Sequence, residues 1–393
     1  MTNRLFATLL TLLTLLVGLA GCGGGGGIEG TGTAAPLGTM RLSITDAPSC
    51  GFDAVHITID RVRVHQSAGA ADADAGWSEV VLSPAKRIDL LTLSNGALEP
   101  LGETALPPGK YTQMRLVLAP NNSANPLANS VIPTGGTETA LTTSSAQQSG
   151  FKINLDIDIS PGQIAEVVID FDACKSVVKR GNSGEYDLKP VISVTPIVAG
   201  AGMRVTGFVA PAIALGSTVV SVQQNGVPIK ATVPDATGRF VLYPVPAGTY
   251  DLVVSAVGRL PATMTGVPVA TTTLTTVNTA SVPIAPGLAT LRAVSGTVTP
   301  ATATVRALQA YTEGPTVEVG WAPVDANTGT FMFALPIGAP VKLAYGANPF
   351  ALAFTPDAAA AAKYSIEAAS SGSAKTQAID TNLTVTPLTF AFP

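Results

Sequence analysis

The chain has 393 residues and a net charge of −4, with 12% charged and 46% hydrophobic residues. A typical soluble domain carries about 25% charged residues, so small uncharged residues must cover much of this surface, and an electrostatic nucleic-acid surface is excluded. The length suggests two or three domains of about 100–200 residues each.

Met1-Thr2-Asn3-Arg4 supplies one positive charge, residues 5–20 form an uncharged Leu-rich run, and Leu19-Ala20-Gly21-Cys22 closes it. That order is a secretory leader with a cysteine at the cleavage point. It resembles the bacterial lipoprotein signal at all four lipobox positions. The resemblance implies a leader over residues 1–22, lipidation of Cys22, a membrane as partner and a place in the bacterial cell envelope. Gly23 after the cysteine, where Asp would retain the protein, implies delivery to the outer membrane. An ordinary signal peptide or membrane anchor stays open as the alternative, although the run is short for a span. Residues 23–37, rich in Gly, Thr, Ala and Pro, hold too little apolar surface to fold and read as a flexible tether.

From Met40 the hydrophobic period is two: Met40, Leu42 and Ile44, then Val55, Ile57 and Ile59. This is the pattern of half-buried strands. The apolar set then changes parity to Val62 and Val64, which predicts a bulge near Asp60-Arg61. Further strands are expected over 78–82, 111–118, 152–159, 165–171 and 188–197. Helical periodicity is nearly absent; residues 358–362 behind Asp357 are the one short candidate. The uncharged stretch 260–291 contains Pro261, Pro268, Pro283 and Pro286, which argue for strands and a linker rather than a lipid-exposed helix.

Composition breaks near residues 199–202 and 283–287, giving domains over 38–199, 203–285 and 290–393. The last two read as copies at an offset of about ninety residues, which suits a small β-sandwich. Val205-Thr206-Gly207-Phe208-Val209 matches Val294-Ser295-Gly296-Thr297-Val298, Thr237-Gly238-Arg239-Phe240 matches Thr328-Gly329-Thr330-Phe331, and Val245-Pro246-Ala247-Gly248 matches Leu335-Pro336-Ile337-Gly338. Pro107-Pro108-Gly109-Lys110-Tyr111 in the first domain parallels Pro246-Ala247-Gly248-Thr249-Tyr250.

On these motifs the second domain resembles carboxypeptidase regulatory-like domains, which implies a transthyretin-like sandwich without catalytic residues. The third is similar but has Pro340 where the tyrosine would fall. The first domain resembles the bacterial family called domain of unknown function 4382. The residues that carry this likeness are Leu42-Ser43-Ile44-Thr45-Asp46-Ala47-Pro48, Ile57-Thr58-Ile59, Val62-Arg63-Val64-His65, Ile88-Asp89-Leu90-Leu91, the Pro-Gly-x-Tyr turn, Asp170-Phe171-Asp172 and Leu188-Lys189-Pro190-Val191.

Three cysteines are present, and an exported chain favours pairing. With Cys22 lipidated, Cys50 and Cys174 remain as a disulfide, or else as two buried thiols. His56 and His65 are the only histidines. With no zinc, nucleophile-elbow or phosphate-loop motif, both read as solvated residues on the polar side of their strand, with a metal role as the alternative.

The acidic residues Asp156, Asp158, Glu166, Asp170 and Asp172 sit on two strands flanking Ser160-Pro161-Gly162. Paired as a hairpin, those strands would set Asp158 opposite Glu166, Lys152 opposite Asp172 and Asn154 opposite Asp170, on one outer face. The face reads as solvated carboxylates that discourage edge pairing; a hard cation such as calcium, held by several of its oxygens, is the alternative. Trp77 and Trp321 are the only tryptophans available as sugar platforms, and a rim or core role competes for each.

The expectation is therefore an all-β protein: a lipoprotein signal and flexible tether followed by three β-sandwich domains in tandem. It works without an enzyme's reactive centre and without a resident cofactor, as a binding or scaffolding protein, with carbohydrate-binding or adhesive work on a carbohydrate or protein partner as the alternative.

Overall fold

The computed structural model describes residues 35–46, 51–143, 149–198, 200–214, 218–346 and 352–393. The leader 1–22 with Cys22, most of the tether, Cys50, Ala47-Pro48 and the boundary residue Ala199 lie outside the described residues. Among the described residues no helix is long and apolar enough to cross a membrane.

The first module contains β1 (Gly38–Asp46), β2 (Phe52–His65), β3 (Ser78–Asp89), β4 (Glu99–Leu106), β5 (Gly109–Leu118), β6 (Ser130–Pro133), β7 (Thr139–Thr142), β8 (Phe151–Ile159) and β9 (Ile164–Phe171). The helical turn α1 (Ala173–Ser176), β10 (Val177–Lys179), β11 (Tyr186–Leu188) and β12 (Ile192–Ile197) complete it. A four-stranded sheet, β12-β9-β1-β4, packs on a larger one that runs β10-β11-β7-β6-β2-β5-β8 with β3 beside β2. Strand alternation builds the core between them: on β8, Phe151, Ile153, Leu155, Ile157 and Ile159 are buried while the residues between them are exposed. Burying one such side chain contributes about 1.5–3 kcal/mol.

The second module has β13 (Val205–Phe208), the turn α2 (Pro211–Ala214), β14 (Thr218–Gln224), β15 (Val227–Thr232), β16 (Arg239–Leu242), β17 (Gly248–Ala256), β18 (Ala262–Val269) and β19 (Thr275–Thr276). The third has β20 (Thr290–Thr299), β21 (Thr304–Ala310), β22 (Thr316–Ala322), β23 (Thr330–Ile337), β24 (Val341–Ala344), β25 (Thr355–Pro356), β26 (Lys363–Ser370), β27 (Ser373–Asp380) and β28 (Leu388–Ala391). Each module has its own hydrophobic core.

All three modules share one wiring. The first strand pairs antiparallel with a fourth and parallel with a later one, as β1 with β4 and β9, β13 with β16 and β19, and β20 with β23 and β28. The second strand lies between the third and fifth: β2 between β3 and β5, β14 between β15 and β17, β21 between β22 and β26. A sixth strand closes on the fifth, as β8, β18 and β27 do. The repeat read in the last two domains thus extends to the first. Its Val-x-Gly motif has a packing reason: a Cβ on Gly207 would sit 2.5 Å from the Phe240 ring, and one on Gly296 2.5 Å from the Phe331 ring.

The bulge is present, with the pairing of β2 to both β3 and β5 slipping between Ile59 and Arg61. Four sequence expectations need correction. First, β8 and β9 form no hairpin: β8 ends the large sheet against β5, and β9 lies in the other sheet between β1 and β12. Alternation requires both apolar faces to point at the core, and strands in opposing layers satisfy it as well as paired neighbours do. Second, residues 188–197 are no single strand, because Ser176 takes Lys189 N on its carbonyl at 2.7 Å and Val191 N on its hydroxyl at 2.8 Å. Third, β24 of the last segment pairs in parallel with β18 and β25 pairs with β24, so these two strands extend the second module's sheet. Fourth, the helix candidate is a 3-10 turn, Ala358–Ala360, capped by Asp357.

Candidate functional site

The three modules meet at a cavity of about 170 Å³ to which each contributes walls. The first supplies Asp172, Cys174 and Lys175; the second, Ser221 and Gln223; the third, Glu318 and Trp321. Asp172 follows β9 and caps α1, its carboxylate accepting from Lys175 N at 2.9 Å. That cap turns the chain so that Lys175 Nζ lies 3.7 Å from Asp172 Oδ2 and 3.5 Å from Glu318 Oε1. Glu318 Oε2 lies 3.6 Å from Arg306 Nη1, whose Nε reaches Glu367 at 2.7 Å. Charges alternate along this chain, so each neutralises its neighbours.

Gln223 clamps the Glu318 backbone, donating to its carbonyl and accepting from its N–H, each at 2.8 Å. Burial pushes the carboxyls of Glu318 and Asp172 above the usual carboxylate range, against the pull of Lys175. The arrangement suits a small ligand with a polar end and an apolar flank on Trp321. Neither histidine belongs to it.

The five acidic residues of the predicted metal face are dispersed. Asp156 is exposed and pairs with Lys110 at 2.7 Å. Asp158 lies opposite Lys110 in the β5–β8 register, and Glu166 meets Arg41 at 3.0 Å. Asp170 meets Lys230 of the second module, and Asp172 caps α1. Because β8 and β9 occupy different sheets, the constellation that suggested calcium is not assembled. Among the described residues no group of three or more His, Cys, Asp or Glu could hold a metal ion.

The histidines are tied into polar networks rather than freely solvated. His56 Nδ1 lies 3.6 Å from Glu138, which Ser130 and Arg87 each hold at 2.6 Å. Burial, then Arg87, lowers the His56 pKa, and the Ser130 bond leads in lowering that of Glu138. A hydrolytic relay would place the imidazole between serine and carboxylate; here the buried Ser130 donates to Glu138 directly. His65 Nδ1 accepts from Ser67 N at 2.9 Å, so Nε2 is left to donate to Ala75 O at 3.0 Å. The His65 ring lies 5.0 Å from Trp77, over which the guanidinium carbons of Arg63 and Arg115 stand at 4.7 and 5.1 Å. Trp77 is therefore a packed residue, whereas Trp321 lines the junction.

Sequence reasoning missed Lys175, Lys230, Arg306 and Glu318. One signal existed: Lys230 shares the buried phase of β15 with Thr232, an unusual place for a lysine.

Fold and site define a protein of three interlocked β-sandwich modules around a shared polar junction. Residues 37–190 match the family described as Domain of unknown function (DUF4382). No curated protein matches the chain. Two interface mutants of a type II cohesin–X-dockerin complex from Acetivibrio cellulolyticus are similar at 22% and 23% identity, with a TM-score of 0.19, over 22% of this chain. The chain spans 59% of the length of those structures. A streptococcal ancillary pilin is similar at 9% identity over 90% of this chain and 98% of its own, with a TM-score of 0.16.

Proposed function

We propose that this is an exported, lipid-anchored protein of the bacterial cell envelope, delivered to the outer membrane, whose three sandwich modules act together as a non-enzymatic binding or scaffolding body. The observation that carries the scaffolding reading is the interlocking of the modules. Asn95 of the first module donates its N–H to Thr232 Oγ1 at 2.7 Å and accepts from Val241 N at 2.6 Å in the second. Asp325 of the third takes Gly181 N of the first at 2.7 Å. Strand β24 joins the third to the second. Such contacts suit a body that holds its surfaces in fixed relation.

The anchor rests on Leu19-Ala20-Gly21-Cys22 and the glycine run behind it. Replacing Cys22 with serine tests it: the protein should leave the membrane fraction and lose acyl mass, and retention with unchanged processing overturns the reading. The second and third modules are read as carboxypeptidase regulatory-like sandwiches, supported by their shared wiring and by the tyrosine returning to the Pro246 and Pro336 carbonyls. A Cys50–Cys174 disulfide is part of the proposal. Support comes from Ala173 N, beside Cys174, donating at 2.9 Å to Asp46, four residues before Cys50.

A second reading, carbohydrate binding or adhesion, is favoured by Trp321 at the junction. Glycan-array binding abolished by Trp321→Ala would support it; binding that survives the substitution would remove this site.

A further inference from the structure

Lys230 on β15 and Asp170 on β9 make an unusual contact between the second and first modules. Nζ lies 2.7 Å from Oδ1, with the two side chains 2% and 14% exposed. Neither atom makes a hydrogen bond. A buried ammonium this close to a carboxylate normally spends its protons along the oxygen lone pairs, since charges withdrawn from water without such bonds lose their hydration uncompensated. Here the approach is close and the bonding direction absent, which sets an amine against a carboxyl group as a nucleophile against its electrophile.

We propose that Lys230 and Asp170 condense into an isopeptide bond that welds the first module to the second. Nζ first passes a proton to the carboxylate; its freed lone pair then attacks Cγ, a C–N bond forms and one C–O bond breaks. The departing hydroxyl takes an amine proton and leaves as water, so no oxidant, reductant or other reactant is consumed.

Two features around the pair serve this step. Asp172 lies two residues along the chain, and burial holds its carboxyl above the usual range. It is the group placed to relay the amine proton to the departing hydroxyl, ending in the protonation state it began with. Asp172 also lines the junction cavity together with Pro228 and Ala231, which bracket Lys230 in the chain. The cavity gives the released water a place to go.

The experiment is a tryptic map of the full-length protein, denatured and reduced. Cuts are set by Lys152, Lys175, Arg204, Lys230 and Arg239. The bond joins residues 153–175 to residues 205–239, uncut at Lys230, in one branched peptide lighter by one water than its parts. Lys230→Arg, which keeps the charge and the bulk, should give only separate peptides. Asp172→Asn, which can still cap α1, should lower the branched fraction several-fold; an unchanged fraction removes Asp172 from the step. Free 153–175 and 231–239 peptides from the wild type, with no branched species, overturn the proposal.

Discussion

The hydroxyl of Tyr364 donates to the carbonyl of Pro336 at 2.8 Å, across twenty-eight positions of chain. Tyr250 does the same to Pro246 at 2.9 Å and Tyr111 to Pro107 at 3.1 Å, each four residues apart. The tyrosine that sequence comparison finds replaced by Pro340 is therefore kept, displaced by the segment that carries β24 and β25 to the second module. The bond fixes the turn onto the fifth core strand in every module, and in the third it survives the lengthening of the chain between its ends.

Tyr364→Phe removes that donor from a buried site. Thr381 Oγ1 also donates to the Pro336 carbonyl, at 3.0 Å, so no acceptor is orphaned and the loss should be about 1 kcal/mol. Urea unfolding measures it. An unchanged midpoint would mean that the bond adds no net stability.

Leu343 sits on β24, half-buried against the second module's core with Val341 and Phe354. Leu343→Asp should cost about 2 kcal/mol through lost apolar burial and the desolvation of a carboxylate. The loss should be read in the second module, as faster hydrogen exchange of the β18 amides. Exchange confined to residues 341–356 would show that the added strand does not support its host.

Gly238 and Gly329 hold equivalent turns at φ of 86° and 67°, and a Cβ on either would run into the carbonyl oxygen of Val209 or Val298. Gly258 has φ of 72° with open space around it. Gly258→Ala should cost about 1 kcal/mol from backbone strain alone, and Gly238→Ala and Gly329→Ala at least twice that. Equal melting temperatures for the three variants would refute the steric argument.

Glu318 should give stability a definite pH dependence. Its folded-state pKa lies above the ordinary 4.5, burial being the main cause. The folded protein therefore binds the proton more tightly than the unfolded chain, and this contribution is full below the unfolded pKa and lost as pH rises through the folded one. Glu318→Gln should gain on the wild type as pH rises from about 4 towards neutrality. Asp357, held below its ordinary 3.8 despite burial by bonds from Thr312 and Ala360, acts in the opposite sense: its contribution is present above 3.8 and lost on acidification. Thermal melts across pH, as variant minus wild type for Glu318→Gln and Asp357→Asn, should slope in opposite directions.

Much of the strand layout was legible. The parity change from Ile59 to Val62 located the bulge, and Gly-x-Phe followed by Pro-x-Gly marked the repeat. The acidic face was misread because Asp156 and Asp170 sit on strands adjacent in sequence but separated into two layers. The junction was invisible for a similar reason: Lys175, Gln223 and Glu318 belong to three modules, and nothing local in any of them reports the other two.

By itself the sequence determined the all-β class, many of the strands, which face of each of those turns inward and the repeated turns, because those follow from a period of two and from the backbone preferences of glycine and proline. The tertiary structure alone decided which sheet each strand joins, that β24 serves a neighbouring module, and that Lys230 is buried against Asp170. An alternating pattern records that a face is covered, but carries no information about what covers it.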